Sequence, residues 1–159
     1  MITILPTAQI HESCVIGTKG FSFDKSSPRK MMEPTGITIG SFVYMASFCN
    51  VDFGTFRDTV IGHRTIIDSH VHISHDVVIG DECEIDTGVR ILGEVEIGDN
   101  TRICTNAVIH PQVKIGNNCV VGANSYLRHD LKDGEIVYGT PAEKRENTKY
   151  GRHRRMLLD

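Results

Sequence analysis

From Ile61 onward an aliphatic residue falls on every sixth position: Ile61, Ile67, Ile73, Ile79, Ile85, Ile91, Ile97, Ile103, Ile109, Ile115, Val121 and Leu127. Four residues after each anchor stands a small or β-branched residue, from Thr65, Val71 and Val77 through to Ser125. The same frame runs earlier through Ile4, Ile10 and Ile16, and again through Ile39, Met45 and Val51. Neither a helix nor simple strand alternation produces a period of six. A short strand followed by a corner does, if every anchor faces one axis. Three such faces close a coil of about 18 residues, so that residue i stacks beneath residue i+18. The hexads make about six coils, a prism roughly 30 Å tall at the spacing of paired strands. The pattern predicts an all-β solenoid.

The recurrent "IG" followed by Asp or Asn ("VIGDE", "EIGDN", "KIGNN") supplies corner chemistry. Glycine tolerates positive φ, and Asx side chains bond back to the backbone. Two segments break the frame. Residues 21–36, "FSFDKSSPRKMMEPTG", form a long excursion, and residues 55–60, around "GTFRDT", a shorter one. Lys25, Arg29 and Lys30 in the longer one are candidate phosphate contacts. Residues 1–138 form one solenoid domain, and 139–159 a closing loop and short C-terminal extension. The tail "ENTKYGRHRRMLLD" is a short helix or an unstructured end.

Composition narrows the class. A formal charge of -3 over 159 residues argues against nucleic acid and membrane surfaces as partners. No apolar run reaches the ~20 residues of a membrane span, and "MITILPTAQI" lacks the features of a signal peptide. A cytoplasmic protein is expected. Of five cysteines, Cys14, Cys49, Cys83 and Cys119 take the small inward position as compact apolar filler. Cys104 lies outside the frame.

The stretch "SHVHISHDVVIGDE" carries His70, His72 and His75. Apart from His153, no histidine of the chain falls on an inward position, so none is expected in the core. By the stacking rule His75 lies beneath Gly93, then Pro111, then His129. A glycine beside an imidazole leaves room for a slender substrate and exposes a backbone N–H able to bind an oxyanion. Neighbours on a straight strand point to opposite faces, so Asp76 meets His75 only if the chain turns there.

A left-handed parallel β-helix of hexapeptide repeats is the signature of the hexapeptide acyltransferase superfamily, which this sequence resembles over roughly residues 4–145. Residues 72–131 resemble sugar-nucleotide acetyltransferases of the bacillosamine and sialic-acid type, which carry an "HD-x-x-IG" or "HE-x-x-IG" element. The segments "GFSFDKS", "VDFGTFRDTVIG" and "HISHDVVIG" resemble the N-acyltransferase of lipid A synthesis, and "DLKDGEIVYGTPAEKR" the closing loop of acetyl-CoA-dependent members. The resemblance implies His75 as general base, with Asp76 raising its basicity. A neutral imidazole, ordinarily titrating near ~6.5, suits removal of an acceptor's proton. It further implies coenzyme contacts at Gly93, Pro111, Ala123, Asn124, Gly139, Pro141, Ala142 and Lys144. It places His70, His72 and Asp52 toward the acceptor, with no metal required.

The implied activity is transfer of an acetyl group from acetyl-CoA to the amino group of a nucleotide-linked amino sugar, in clefts between subunits of a homotrimer. Outward apolar positions such as Val43, Phe53 and Ile66 suit that assembly. Three departures leave the acceptor open. The additional N-terminal domain of both relatives has no counterpart. The lipid A enzyme's second histidine falls near Gln112, and a coenzyme-binding histidine of the bacillosamine type is here Glu84. The alternatives are O-acetyl transfer, a longer acyl chain carried by acyl carrier protein, a γ-carbonic-anhydrase-like zinc enzyme using His70 and His75, and a non-catalytic solenoid. Zinc chemistry needs a third protein ligand, and the region near Pro34 offers no histidine.

Overall fold

The computed structural model describes residues 1–19 and 33–144. Among these residues there is no helix. The chain winds through short strands into a left-handed parallel β-helix of about six turns. It has two six-stranded sheets and one eight-stranded sheet. The first sheet begins with Ile2–Ile4, the second with Gln9–Ile10 and the third with Val15–Thr18. Stacking follows the expected repeat of 18: Ile61 pairs with Ile79, Ile79 with Ile97, and Ile97 with Ile115.

The periodic anchors build the core. Every one from Ile61 to Leu127 is buried, with Thr65, Thr101 and Ser125 wholly enclosed at the small inward position. Each fully buried aliphatic side chain contributes about 1.5–3 kcal/mol, so the column of anchors is the main source of cohesion. The inward threonines keep their hydroxyls bonded: Thr65 donates to the Gly80 carbonyl and Thr101 to the Gly116 carbonyl, both at 2.9 Å. Cys49, Cys83 and Cys119 are buried and form no disulfide, while Cys14 in the first coil is half-buried. None of the seven described histidines is buried.

Two expectations need correction. Val43 is only 1% exposed. It stands four residues after Ile39, which is the inward position, and so cannot belong to an outer face. Phe53 is partly buried against the core, and of the three residues only Ile66 presents an apolar surface.

The corners also work differently. From Gly40 to Gly116 the glycines of the "IG" pairs have ordinary φ; the positive values belong to the residue two further on, as at Glu82, Asn100 and Asn118. Those glycines are required by close stacking, because a Cβ on Gly62 would lie 2.4 Å from the Gly80 carbonyl oxygen. The Asx residues bond not within their own corner but to the coil before. Asp81 Oδ1 accepts the His63 N–H, Asp99 the Asp81 N–H, Asn117 the Asp99 N–H, and Asp133 the Asn117 N–H, at 2.7–2.8 Å.

Each coil has three corners. The third, between the third sheet and the first, carries both excursions. The shorter one joins Asn50–Asp52 to Thr59–Ile61, and the longer joins Val15–Thr18 to Ile37–Ile39. Most of the longer excursion, with Lys25, Arg29 and Lys30, lies outside the described residues, as does the tail from residue 145. Ile136–Tyr138 extends the second sheet, and Glu143–Lys144 of the closing loop folds back antiparallel upon it.

Candidate active site

His75 sits at the third corner, two residues after the buried anchor Ile73. Asp76 follows in the left-handed region, at φ 62°. This turn brings adjacent side chains together. His75 Nδ1 lies 2.8 Å from Asp76 Oδ2, so Nδ1–H donates to the carboxylate and Nε2 keeps its lone pair. The imidazole is a fifth exposed, and the carboxylate is enclosed at 1%.

The shorter excursion encloses that carboxylate. Three successive backbone N–H groups, of Thr55, Phe56 and Arg57, all donate to Asp76 Oδ1 at 2.8 Å. The Thr55 hydroxyl donates to Oδ2. Burial alone would raise the pKa of Asp76. The Thr55 hydroxyl, the Arg57 N–H, the His75 ring and the Phe56 N–H outweigh it and hold the group at about 2. Arg57 closes the arrangement: Nε donates to the Asp76 carbonyl at 2.9 Å, and the guanidinium meets Glu96 at 2.7 Å.

Gly93 lies directly over His75. A Cβ built there would stand 2.7 Å from His75 Cε1 and 2.8 Å from Nε2. The Gly93 carbonyl accepts from Gln112, while its N–H donates to no other group among the described residues. Beside this column is a cavity of about 400 Å³ lined by Phe56, Arg57, Asp76, Glu94, Glu96, Gln112 and Lys114. Most of these residues went unsuspected. The signal for Phe56 and Arg57 was the break in the hexad at residues 55–60, which marks an excursion but not what it grips, whereas Glu94 and Gln112 follow Asp76 at the 18-residue repeat and Lys114 follows Glu96.

The other predicted residues divide between two places. Pro111 shares the third corner with His75 and Gly93. Ala123 and Asn124 lie at the second corner instead, on the opposite edge of the third face. The closing loop packs there: Gly139 N–H donates to Ser125 Oγ, the Thr140 hydroxyl to the Asn124 carbonyl, and Ala142 N–H to the Tyr126 carbonyl, at 2.8–3.0 Å. Ala142 is buried, and Lys144 is paired with Glu135 at 2.6 Å. Pro141 follows a cis peptide bond.

His72 and Asp52 do meet, on the outer surface of the third face. His72 Nε2 is 3.6 Å from Asp52 Oδ2, and Asn50 links them through Asp52 Oδ1 at 2.7 Å and His72 Nδ1 at 3.2 Å. His70 is at the second corner, stacked on Phe48 with centroids 5.2 Å apart. Five residues carry the chain across a whole face, so His70 and His75 occupy different edges. Among the described residues, no three histidine, cysteine, aspartate or glutamate side chains converge in a manner suited to a metal ion.

Comparison with known proteins places these features in a family. Residues 58–93 and 94–129 match the bacterial transferase hexapeptide model (six repeats). The UDP-3-O-acylglucosamine N-acyltransferase of Chromohalobacter salexigens is 39% identical over 71 residues, 43% of this chain and 20% of that enzyme. The chain thus spans about a fifth of the length of this curated relative. Among solved structures, a mutant of perosamine N-acetyltransferase from Caulobacter crescentus, in complex with CoA and GDP-perosamine, superposes with a TM-score of 0.73. It is 22% identical, and the match covers 89% of this chain and 57% of that one. The UDP-N-acetylglucosamine O-acyltransferase of Moraxella catarrhalis gives 0.75 at 21% identity, over 97% of this chain and 76% of its own. These two structures share the fold. Residues 58–129 thus carry the repeats of the bacterial transferase hexapeptide family, and the three-faced helix that they help to build is the fold shared with those two structures.

Proposed function

We propose that the chain is an acyltransferase that moves an acetyl group from acetyl-CoA to the amino group of a nucleotide-linked amino sugar, working as a homotrimer. The observation that carries this reading is the His75–Asp76 pair with its free Nε2 beneath Gly93. Nε2 takes a proton from the amine as its nitrogen bonds to the thioester carbonyl carbon. The tetrahedral oxyanion is met by the unpaired Gly93 N–H. Its collapse breaks the carbon–sulfur bond, and the proton held on Nε2 passes to the departing thiolate, leaving an amide and a free thiol. Asp76, ionised throughout, holds the imidazole in the required tautomer and stabilises the imidazolium that forms between the two transfers.

Two further observations support the assignment. The Caulobacter enzyme, which shares the fold, was captured with CoA and an amino-sugar nucleotide. The predicted coenzyme residues border both edges of the third face, which leaves that face as the lane between His75 and the closing loop. Exposed Tyr44 and Ile66 on the second face, with Phe42 and Phe48 on its flanking corners, suit burial between subunits.

The test is thiol release from acetyl-CoA in the presence of a panel of nucleotide-linked amino sugars. Turnover is expected with an amine acceptor, and His75→Ala is expected to lower it roughly 10²–10⁴-fold. Turnover confined to hydroxyl acceptors would overturn the amine assignment. A second reading, transfer of a longer acyl chain from acyl carrier protein, is favoured by the identity to the Chromohalobacter enzyme. Acyl carrier protein loaded with a longer acyl chain serves as the competing donor in the same assay.

A further inference from the structure

Asp76 does more than accept one bond from His75, and the remaining contacts point to residues with no assigned part in the chemistry. Its carboxylate receives five donors: the N–H groups of Thr55, Phe56 and Arg57, the Thr55 hydroxyl and His75 Nδ1. They are distributed unequally. The three backbone groups converge on Oδ1, whereas Oδ2 receives only the Thr55 hydroxyl and the imidazole. A carboxylate held this way is fixed in its plane, because tilting it out of that plane breaks several of these bonds at once.

We infer that the Thr55–Arg57 segment is the positioning element of the dyad, holding the Asp76 carboxylate in the plane that aims an acceptor oxygen at His75 Nδ1 and thereby keeping the imidazole proton there. Thr55 is its principal positioning residue. It contributes both a backbone and a side-chain donor, and its hydroxyl lies on the oxygen that His75 uses. Arg57 secures the segment from outside, bonding the Asp76 carbonyl and reaching Glu96 on the first face. The inference rests on His75 being the base, but its signature can be measured without any turnover.

The consequence for Asp76→Asn is specific. Three N–H donors at the Oδ1 site demand an acceptor there, so the amide oxygen must take that place. The amide NH₂ is then forced to face His75, and Nδ1 must become an acceptor. The proton moves to Nε2 and the base is lost, even though every neighbouring residue is in place. An unclamped carboxamide would instead flip, present its oxygen to Nδ1–H and preserve the tautomer.

Long-range proton–nitrogen spectra of the ¹⁵N-labelled protein distinguish the two tautomers, with His75→Ala assigning the resonances. The wild type and Thr55→Ser are expected to show an Nδ1–H imidazole with unprotonated Nε2, Asp76→Asn the opposite tautomer, and Thr55→Val a mixture. With an acceptor in hand, Thr55→Val is expected to lower kcat roughly tenfold with KM little changed, and Thr55→Ser to restore it. An Nδ1–H imidazole in Asp76→Asn, or wild-type spectra and rate in Thr55→Val, overturns the inference. If Thr55→Val does not fold, the wild-type, Thr55→Ser and Asp76→Asn spectra decide it. If no acceptor is ever acylated, the spectra still do, so failure of the positioning role and failure of the proposed activity are told apart.

Discussion

At Gly93 the imidazole of His75 occupies the space a side chain would need. The backbone there has no positive φ, so alanine is conformationally acceptable and the obstruction is purely one of contact. Its Cβ would press on Cε1 and Nε2 at 2.7 and 2.8 Å, the part of the ring that must meet substrate. Gly93→Ala is therefore expected to reduce kcat by roughly 10²-fold through displacement of the base. Little change in unfolding midpoint should accompany it. Steady-state kinetics beside a thermal melt checks both, and a variant of normal rate would mean that the ring does not work in its observed position. The legibility of this corner from sequence was uneven. The arithmetic of 18 put Gly93 above His75, and it needed no side-chain knowledge. That Asp76 turns back onto its neighbour depended on a left-handed backbone at a non-glycine residue, which nothing in the local sequence demands.

At the scale of the element, the excursion at residues 55–58 is held by the charge it surrounds. Three N–H groups converge on one oxygen, an arrangement that stabilises an anion and loses its purpose when the anion is protonated. The folded pKa of Asp76 is depressed to about 2 from an ordinary 3.8. Its contribution is accordingly complete above roughly pH 4 and disappears as pH falls from there through about 2. The difference corresponds to about 2 kcal/mol. Thermal melts of the wild type and Asp76→Asn are expected to show the wild type ahead at about pH 7, with the gap closing toward pH 2. A gap independent of pH would mean that the loop is indifferent to the charge. The Asx residues of the other corners teach a related lesson. Their side-chain type marks a turn, but their oxygens serve the coil one repeat away, so turn propensity identified the residues and stacking assigned their partners.

As a whole the molecule is a stack in which each coil is stabilised mainly by its neighbours. Interior coils such as the one containing Arg90–Ile91 are bonded above and below. Among the described residues the first coil pairs with a neighbour on one side only, and its Ile2, Ile4 and Val15 are exposed by 41–56%. Unfolding should begin there. Hydrogen exchange is expected to be roughly a hundredfold faster for Ile2–Ile4, Gln9–Ile10 and Val15–Thr18 than for Arg90–Ile91 and Glu96–Ile97. Uniform protection along the stack would indicate that the first coil is covered by something further, such as another copy of the chain. Both excursions leave from the corner that carries His75, in the coils just before it.

The hexad alone was enough for the architecture. A buried residue at every sixth position can be satisfied by one winding only, and that winding fixes every vertical neighbour 18 residues away. The same regularity identified His75, Gly93 and Pro111 as one column. It could not reveal the donors converging on Asp76 or the meeting of Arg57 with Glu96. Those depend on how an aperiodic loop folds against a periodic wall. Periodicity constrains which backbones stack, whereas the direction of a side chain at a corner is settled by whatever donors the folded chain happens to bring to it.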